Sequence, residues 1–286
     1  MRSNQWLNSG LQLSAWLVAG ILLCIVFFLF SESIPLVKEI GLSPFFNDKN
    51  WNPTEGQFQL TAMLLGSIYI AAGSVLIATP LGIAVALFGQ FYAPPIIANF
   101  YRGLMELLAG VPSVVFGFWG LVVIVPWIAK ISPPGASTLA GIIVLSLMIL
   151  PLVALTADAS IKQVPLRYFN SAKAMGIGRW GIIRKIAIPQ AFPSILSGIV
   201  LQTGRALGET MAVLMVCGNV VQIPSSLFQP VRTLTANIAL EMSYALDQHR
   251  AALFVSGLLL LLITIALFIL VNFLKSTFSA NTIRKN

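Results

Sequence analysis

The sequence is poor in charge. Only 9% of its 286 residues are Asp, Glu, Lys or Arg, whereas 57% are hydrophobic. A soluble domain usually carries about a quarter charged residues. So few charged side chains cannot cover a water-facing surface. This scarcity excludes an ordinary soluble protein and predicts that much of the surface faces lipid.

Groups that carry chemistry are scarce as well. The two cysteines, Cys24 and Cys217, lie in apolar stretches where a thiol is typically a small packing group. The one histidine, His249, has no metal-ligand residues beside it, and no Gly-x4-Gly-Lys-Ser/Thr run is present. We therefore predict no catalytic residues, no metal site and no cofactor in this chain. Its net charge of +8 lies between apolar stretches, so we predict no nucleic-acid partner either.

Long apolar stretches are abundant. A helix needs about 20 apolar residues to cross about 30 Å of hydrocarbon. Six segments are long enough, namely Leu11–Phe30, Leu60–Phe88, Leu104–Ala129, Thr138–Ala159, Ile195–Cys217 and Ala252–Leu274. The sequence predicts an all-α integral membrane protein with about six transmembrane helices. We divide it into a first helix with an outer loop, residues 1–59, and a core of five helices, residues 60–286.

The basic residues predict the orientation. With the N-terminus inside, eleven basic residues fall in inner segments and five in outer segments, as the positive-inside rule requires. Both termini of this multi-pass protein should therefore be cytoplasmic. Two outer segments, residues 31–59 and 218–250, are long enough either to be ordinary solvated loops or to dock an external partner.

The third predicted span contains residues that interrupt a helix. Gly110 and Pro112 break it, and such breaks are tolerated only where the backbone faces protein or a water-lined cavity. Together with Ser113 they form a candidate gate or pathway segment. Glu106 follows Arg102 by four residues, which indicates either an ion pair at the inner end or a gating role.

The longest inner segment, residues 160–190, predicts two short helices. Pro165 is typical of a helix start and Gly176 of a helix stop, and a second helix can run from Arg179 until Pro189 breaks it. The segment has a face of small residues and six basic residues. These features fit a docking surface for another protein or an amphipathic loop on anionic lipid.

The fifth predicted span carries a charged pair. Arg205 and Glu209 are four residues apart and are expected to share one helix face, next to a GxxxG face made by Gly204 and Gly208. An arginine in the middle of a bilayer costs at least a few kcal/mol and needs a partner or water. The pair could hold helices in register. Alternatively, Arg205 could line an anion pathway, with Glu209 pairing with it between transport events.

The inner segment resembles a known family motif. Permeases of ATP-binding-cassette (ABC) importers have a coupling loop of pattern Glu-Ala-Ala-x3-Gly-x9-Ile-x-Leu-Pro. The residues that occupy this pattern here are Asn170, Ser171, Ala172, Gly176, Ile186, Ile188 and Pro189. The resemblance implies that residues 160–190 dock on an ATP-hydrolysing partner. Asn170 replaces the acidic first position, which removes one polar contact with that partner.

A second resemblance concerns the cargo. The string Gly-Arg-Ala-Leu-Gly-Glu-Thr-Met-Ala-Val, from Gly204 to Val213, is similar to the fifth span of phosphate importer permeases, and its ending resembles the PstC type. The stretch from Leu108 to Gly117 resembles the third span of the same family. The resemblance implies a phosphate pathway that includes Thr210. It also implies a second, PstA-like permease, two ATPase subunits that hold ATP and magnesium, and an extracytoplasmic phosphate-binding protein.

Three other functions stay open at this point. A permease for sulfate or molybdate would keep the same fold and coupling loop. A secondary anion symporter would need no coupling loop and would depend on an ion gradient. A membrane scaffold without transport activity would not need an arginine at mid-membrane depth.

Overall fold

The computed structural model describes residues 3–48 and 50–283, and it is almost entirely helical. The basic residues Arg2, Lys49, Arg284 and Lys285, which entered the orientation argument, lie outside the described residues. The longer helices are α1 (Ser3–Ile40), α3 (Thr61–Phe91), α4 (Pro95–Ala109), α7 (Thr138–Lys162), α10 (Ile188–Gly208) and α13 (Asp247–Ile283). The shorter ones are α2 (Ser43–Asn47), α5 (Ser113–Trp119), α6 (Val125–Ala129), α8 (Leu166–Ala174), α9 (Arg179–Ile182), α11 (Met211–Val216) and α12 (Leu234–Glu241).

Among the described residues, five helical segments are long and apolar enough to cross a membrane, and a bent pair supplies a sixth candidate. The five are Ser9–Ile40, Thr61–Phe91, Thr138–Lys162, Arg179–Gly208 and Asp247–Leu270. The prediction of an all-α membrane protein with about six spans is confirmed. Three of the predicted spans have wrong boundaries. The first helix continues through the predicted start of the outer segment to Ile40, with Pro35 inside it, whereas it was expected to end at Phe30. The other two errors involve helix-breaking residues.

The predicted third span, Leu104–Ala129, is not one straight helix. Its residues belong to α4 and to the segment Ser113–Ala129, which meet at an angle of 92°. Gly110 caps the end of α4, and Pro112 has extended backbone angles (φ −59°, ψ 141°) before α5 begins. Proline lacks an N–H donor and disfavours a helical residue before it, so the chain turns here.

The predicted fifth span, Ile195–Cys217, starts and ends too late. The helix is continuous from Arg179 to Gly208, although Pro189 was expected to break it. A π-helical stretch over Ile183–Ala187 precedes α10 and widens the turn that contains the carbonyl of Lys185. The proline ring would clash with that carbonyl in a regular α-helix, so the π-helical stretch accommodates Pro189.

The core is built around α3 and α7. Buried apolar residues of both helices pack with residues of α11, among them Ile70, Leu145, Ile149 and Val216. The Ser74 hydroxyl donates both to the carbonyl of Ile70 in its own helix and to that of Ile142 in α7. Helix α7 is the most buried of the five candidate spans, so it is the central element against which the pathway residues are arranged.

Residues 3–48 and 50–59 contact the rest of the chain mainly through α1 and through the segment that follows it. Helix α1 lies along α13. The following segment forms α2 and a two-stranded antiparallel hairpin, β1 (Trp51–Asn52) and β2 (Gln57–Phe58). Phe45 and Phe58 are buried in a cluster that includes Leu60 and Leu234. The first outer loop is therefore a folded cover rather than a solvated connector. The division of the chain at residue 59 stays a prediction.

Candidate translocation site and coupling loop

Arg205 lies on α10, three residues before the helix ends at Gly208. Its side chain is exposed on the isolated chain and lines a cavity of about 500 Å³ between α10, α7 and α13. The other lining residues are Leu152, Leu201, Gln202, Gly204, Thr264 and Phe268. Leu152 and Thr264 belong to candidate spans, so this cavity lies at membrane depth. We call it the α10 cavity.

Within the described residues, Arg205 has no ion-pair partner. The ion pairs found there all involve Asp158 or Glu241. The expectation that Arg205 and Glu209 share one helix face is wrong, because α10 ends at Gly208 and Glu209 has extended backbone angles (φ −68°, ψ 130°). The i, i+4 relation holds only inside a continuous helix. Pairing of the two side chains between transport events stays a prediction.

Glu209 instead holds the start of the next helix. Its carboxylate accepts a hydrogen bond from the backbone N–H of Ala212 at 3.2 Å, and its carbonyl accepts one from the hydroxyl of Thr235 at 2.8 Å. The first N–H groups of a helix lack internal acceptors, so an acidic side chain satisfies one of them. Thr210, just before α11, donates to the Gly208 carbonyl at 3.3 Å. The predicted pathway residues therefore surround a break between two helices.

The GxxxG face has no close neighbour inside the described part of the chain. A Cβ atom on Gly208 would meet nothing within 4 Å, and one on Gly204 would meet only the Thr264 methyl group at 3.9 Å. The close helix approach expected at these glycines is therefore absent among the described residues. The face is open.

The candidate gate lies at the other helix break. Gly110 and Pro112 are exposed and Ser113 is half-buried, and none of the three lines the α10 cavity. The two breaks are nevertheless linked, because α5 packs against α11. A Cβ atom on Gly117 would lie 2.8 Å from the Cα of Ala212. Only glycine permits this approach, so the segments that follow the two breaks lie side by side.

The coupling loop has the predicted helix start and stop. Pro165 caps the start of α8, and Gly176 follows its end with φ +72°. The N–H groups of Gly176 and Ile177 donate to the carbonyls of Lys173 and Ala172, both at 3.0 Å. This pair of bonds is a Schellman cap, which ends a helix with glycine in the left-handed region.

The other loop residues of the motif are placed as follows. Ala172 is the fully buried residue of α8, and Ile186 is half-buried in the π-helical stretch. Asn170, Ser171, Gly176 and Pro189 are exposed. Several large apolar side chains of the loop are exposed too, among them Trp180 (64%) and Met175 (71%). Asn170 also lines a cleft of about 400 Å³ with Lys173 and Arg179.

Sequence reasoning missed the role of Asp158. Its carboxylate bonds the Arg102 guanidinium (Nε to Oδ2, 3.1 Å), the Lys162 ammonium (2.8 Å) and the Gln90 amide. It therefore joins the ends of α3 and α7 to the middle of α4. Arg102 pairs with Asp158, whereas the sequence suggested Glu106, which is exposed. The packing of α4 against α7 brings Arg102 to Asp158, and the sequence, which signals the break at Gly110 and Pro112, does not signal that packing.

A second carboxylate was also missed. Glu241 accepts from Arg232 (2.7 Å), from the Trp51 indole (2.8 Å) and from His249 (2.8 Å). These partners come from the first outer loop, the second outer segment and α13. The partner of the lone histidine is thus eight residues before it in sequence, on a different helix. We call this cluster the outer hub.

Comparison with known proteins supplies the family. Residues 78–280 match the family described as "Binding-protein-dependent transport system inner membrane component". The chain is similar to "Probable ABC transporter permease protein YqgH" of Bacillus subtilis, at 40% identity over 82% of this chain and 79% of that protein. It is also similar to "Phosphate transport system permease protein PstC" of Mesorhizobium japonicum, at 32% identity over 89% and 84%.

Solved structures agree on the fold. An inward-facing form of the MetNI methionine ABC transporter matches with TM-score 0.63 at 16% identity, over 80% of this chain and 99% of that one. A bacterial ABC transporter that imports the polysaccharide alginate matches with TM-score 0.61 at 15% identity, over 92% and 96%. At this identity the likeness shows the fold alone, which is that of an ABC importer permease.

Proposed function

The chain belongs to the family of binding-protein-dependent transport system inner membrane components, and on that premise we propose that it is the permease subunit of an ATP-driven importer for inorganic phosphate. Relatives that cover most of its length are named as phosphate transport permeases. The observation that carries the proposal is Arg205, an arginine in a membrane-spanning helix that lines a cavity without a carboxylate partner among the described residues.

The chemistry of Arg205 suits an oxyanion. Guanidinium is charged at every physiological pH and donates two parallel hydrogen bonds to neighbouring oxygens of a phosphate. A cation in a spanning helix is costly unless it faces protein or water. A permanent and strong site would trap the anion, since conduction requires binding that can be released. The helix break at Glu209 and Thr210 supplies a place where the surroundings of Arg205 can change.

The open glycine face is evidence for a second permease subunit. Gly204 and Gly208 have room for a neighbouring helix that the described residues do not supply. Small residues of this spacing allow two membrane helices to approach closely. We propose that a similar, PstA-like chain packs here, so that the phosphate pathway runs between the two permeases.

The composition and exposed side chains of the coupling loop are evidence for ATPase partners. Residues 160–190 contain six basic and no acidic residues, and they expose Trp180 and Met175 to a partner. We propose that two ATPase subunits, which would hold ATP and magnesium, grip this loop and its counterpart on the second permease. Their closure turns the pathway outward, an extracytoplasmic binding protein delivers phosphate, and ATP hydrolysis resets the inward-facing state in the cytoplasmic membrane.

Reconstitution tests the proposal. The assembled transporter, placed in proteoliposomes with its binding protein, should take up labelled phosphate when ATP is enclosed. Uptake should persist when ion gradients are collapsed, and unlabelled phosphate should compete while sulfate and molybdate do not. Uptake that follows the ion gradient instead would indicate a symporter. Competition by sulfate or molybdate alone would reassign the cargo, and no uptake of any anion would favour a scaffold.

A further inference from the structure

The break between α10 and α11 is held by one hydroxyl group of another helix. Thr235, the second residue of α12, is only 7% exposed, and its hydroxyl donates to the Glu209 carbonyl at 2.8 Å. In a continuous helix that carbonyl would accept from the N–H of Val213, four residues later. The Thr235 hydroxyl therefore takes the place of a helical donor and satisfies the extended conformation of Glu209.

The Thr235 hydroxyl is itself oriented by its neighbour. Its oxygen lies 3.1 Å from the hydroxyl oxygen of Thr233. A hydroxyl has one proton to donate, and that of Thr235 is used on Glu209, so Thr233 donates to Thr235. Thr233 in turn caps α12 by accepting from the N–H of Ala236 at 3.2 Å. The direction of the Thr235 hydroxyl is thus set within α12.

Helix α12 is anchored at both ends. At its start, the N–H of Leu234 donates to the hydroxyl oxygen of Ser67 in α3 at 3.0 Å. At its end, Glu241 is the carboxylate of the outer hub. The Thr235 hydroxyl is therefore presented to the break by a helix that is fixed to other parts of the fold.

The break keeps Glu209 away from Arg205. The Glu209 carboxylate accepts from the N–H of Ala212, and Arg205 makes no ion pair among the described residues. If α10 continued through residue 209, the two charged side chains would lie one turn apart on one helix face and would attract each other in an apolar setting. A carboxylate paired with Arg205 would compete with an anionic cargo for the same N–H donors.

We propose that Thr235 is a positioning residue of the pathway. Its hydroxyl keeps Glu209 out of the α10 helix, so that Arg205 stays available to the oxygens of the anion. Release of this hydrogen bond returns Glu209 to the helix and to Arg205, which frees the anion. The inference rests on the proposed function, and it assigns the choice between a free and a paired Arg205 to a residue that does not line the α10 cavity.

Hydrogen exchange over residues 206–214 tests the positioning in the assembled transporter in lipid nanodiscs, without cargo. The first N–H groups of a helix have no acceptor in that helix, so a continuous helix protects them better than a break does. Thr235→Val removes the hydroxyl at nearly constant size, and Thr235→Ser keeps it. Thr138→Val is the matched control, because the buried Thr138 hydroxyl donates to the distant carbonyl of Gln229 at 3.0 Å, which is not part of the break.

We expect exchange over residues 206–214 to slow by about fivefold in Thr235→Val, the factor for one hydrogen bond of ordinary strength. Thr235→Ser and Thr138→Val should exchange like the wild type. Thr235→Val combined with Glu209→Gln should not exchange more slowly than the wild type, because no carboxylate is then attracted to Arg205. ATP-driven phosphate uptake should fall by about fivefold in Thr235→Val and stay near the wild-type rate in Thr235→Ser and Thr138→Val.

Exchange that is unchanged or faster in Thr235→Val would overturn the inference, since the loss of a hydroxyl that only stabilises the fold speeds exchange. Equal slowing in the double variant, or normal uptake by Thr235→Val, would overturn it as well. None of these outcomes touches the proposed function if wild-type uptake in proteoliposomes is ATP-driven and depends on Arg205. Loss of that dependence would instead undermine the proposed function and leave the exchange result standing, so the two failures can be told apart.

Discussion

Two arginines of the chain, Arg232 in the outer hub and Arg205 in the α10 cavity, have opposite surroundings. Arg232 donates to the carbonyl of Asn219 (2.9 Å), to the amide oxygen of Asn237 (3.0 Å) and to Glu241 (2.7 Å). Arg205 makes no ion pair with any described residue and lines a cavity. The donors of Arg232 are used to hold the fold together, whereas those of Arg205 are available for something outside the chain.

The difference separates structural from functional charge. When the N–H groups of a buried arginine all have acceptors within the chain, the ion pair fixes the packing of the helices and loops that carry it. Removing one residue of the pair leaves the other as an uncompensated charge. An arginine without a local partner stabilises nothing in the isolated chain. Its removal should therefore affect transport without affecting folding, and the reverse should hold for Arg232.

The largest effect is expected from Arg205→Gln. We expect ATP-driven phosphate uptake to fall by about a hundredfold or more, as expected when roughly 3 kcal/mol of charge-assisted hydrogen bonding is lost. The melting temperature of the assembled complex should stay close to the wild-type value because Arg205 makes no ion pair with any other described residue. Uptake and melting are measured on the same preparation. Arg205→Lys, which keeps the charge without the two-pronged geometry, should retain part of the activity.

The next largest effect is expected from Arg232→Met. Glu241 would keep its bonds to Trp51 and His249 but lose the guanidinium, and we expect a loss of about 2–4 kcal/mol in stability. The melting temperature of the complex should fall clearly. The double variant Arg232→Met/Glu241→Gln should lose less than the sum of the two single variants, since it leaves no lone charge. If Arg232→Met melts at the wild-type temperature, Arg232 does not stabilise the fold, and the proposed difference between the two arginines is wrong.

Some features of the fold and of the candidate site could be predicted from the sequence alone. Hydropathy predicted the spans, because a run of about 20 apolar residues has few alternatives to crossing the membrane. The Gly176 stop was predictable because it is local chemistry, a residue without Cβ at a left-handed position. Arg205 was predictable as a candidate because a charge in an apolar run is conspicuous.

The errors have a common physical origin in tertiary structure. The exit of the chain from α10 at Glu209 depends on the Thr235 hydroxyl, which comes from the second outer segment. The pairing of Arg102 with Asp158 depends on the packing of α4 against α7. Pro189 is accommodated by a π-helical stretch that no local residue pattern announced. Each of these features joins residues that are distant in sequence or alters a helix without a compositional signal.

A smaller effect is expected from Asp158→Asn. The side chain would still accept hydrogen bonds but would no longer neutralise Arg102 and Lys162, whose side chains are 28% and 46% exposed. Because water screens both cations, we expect a loss of only about 1–2 kcal/mol. Hydrogen exchange should show faster exchange in α4, which Asp158 holds through Arg102. Unchanged exchange over residues 95–109 would mean that packing alone holds α4.

The smallest effect is expected in the coupling loop. There the backbone at the end of α8 is held by hydrogen bonds, whereas many side chains are exposed. Gly176→Ala places a Cβ atom at φ +72° and should cost about 1 kcal/mol at the end of α8. Gly178→Ala is the matched control, because Gly178 has φ −65° and nothing within 4 Å of a Cβ atom. Only the first change should weaken retention of the ATPase when the complex is purified. Equal retention in both variants would contradict a role for the Schellman cap in coupling.

The central claim is that Arg205 lines a water-filled anion path, and the reactivity of a thiol placed there tests it most directly. Arg205→Cys is made in a background that carries Cys24→Ala and Cys217→Ala, and its reaction with a charged thiosulfonate reagent is followed in the assembled transporter. The account predicts that the thiol reacts and that the rate changes when ATP analogues close the ATPases. A thiol that resists the charged reagent in every nucleotide state would place residue 205 against lipid or packed protein, and it would contradict the claim.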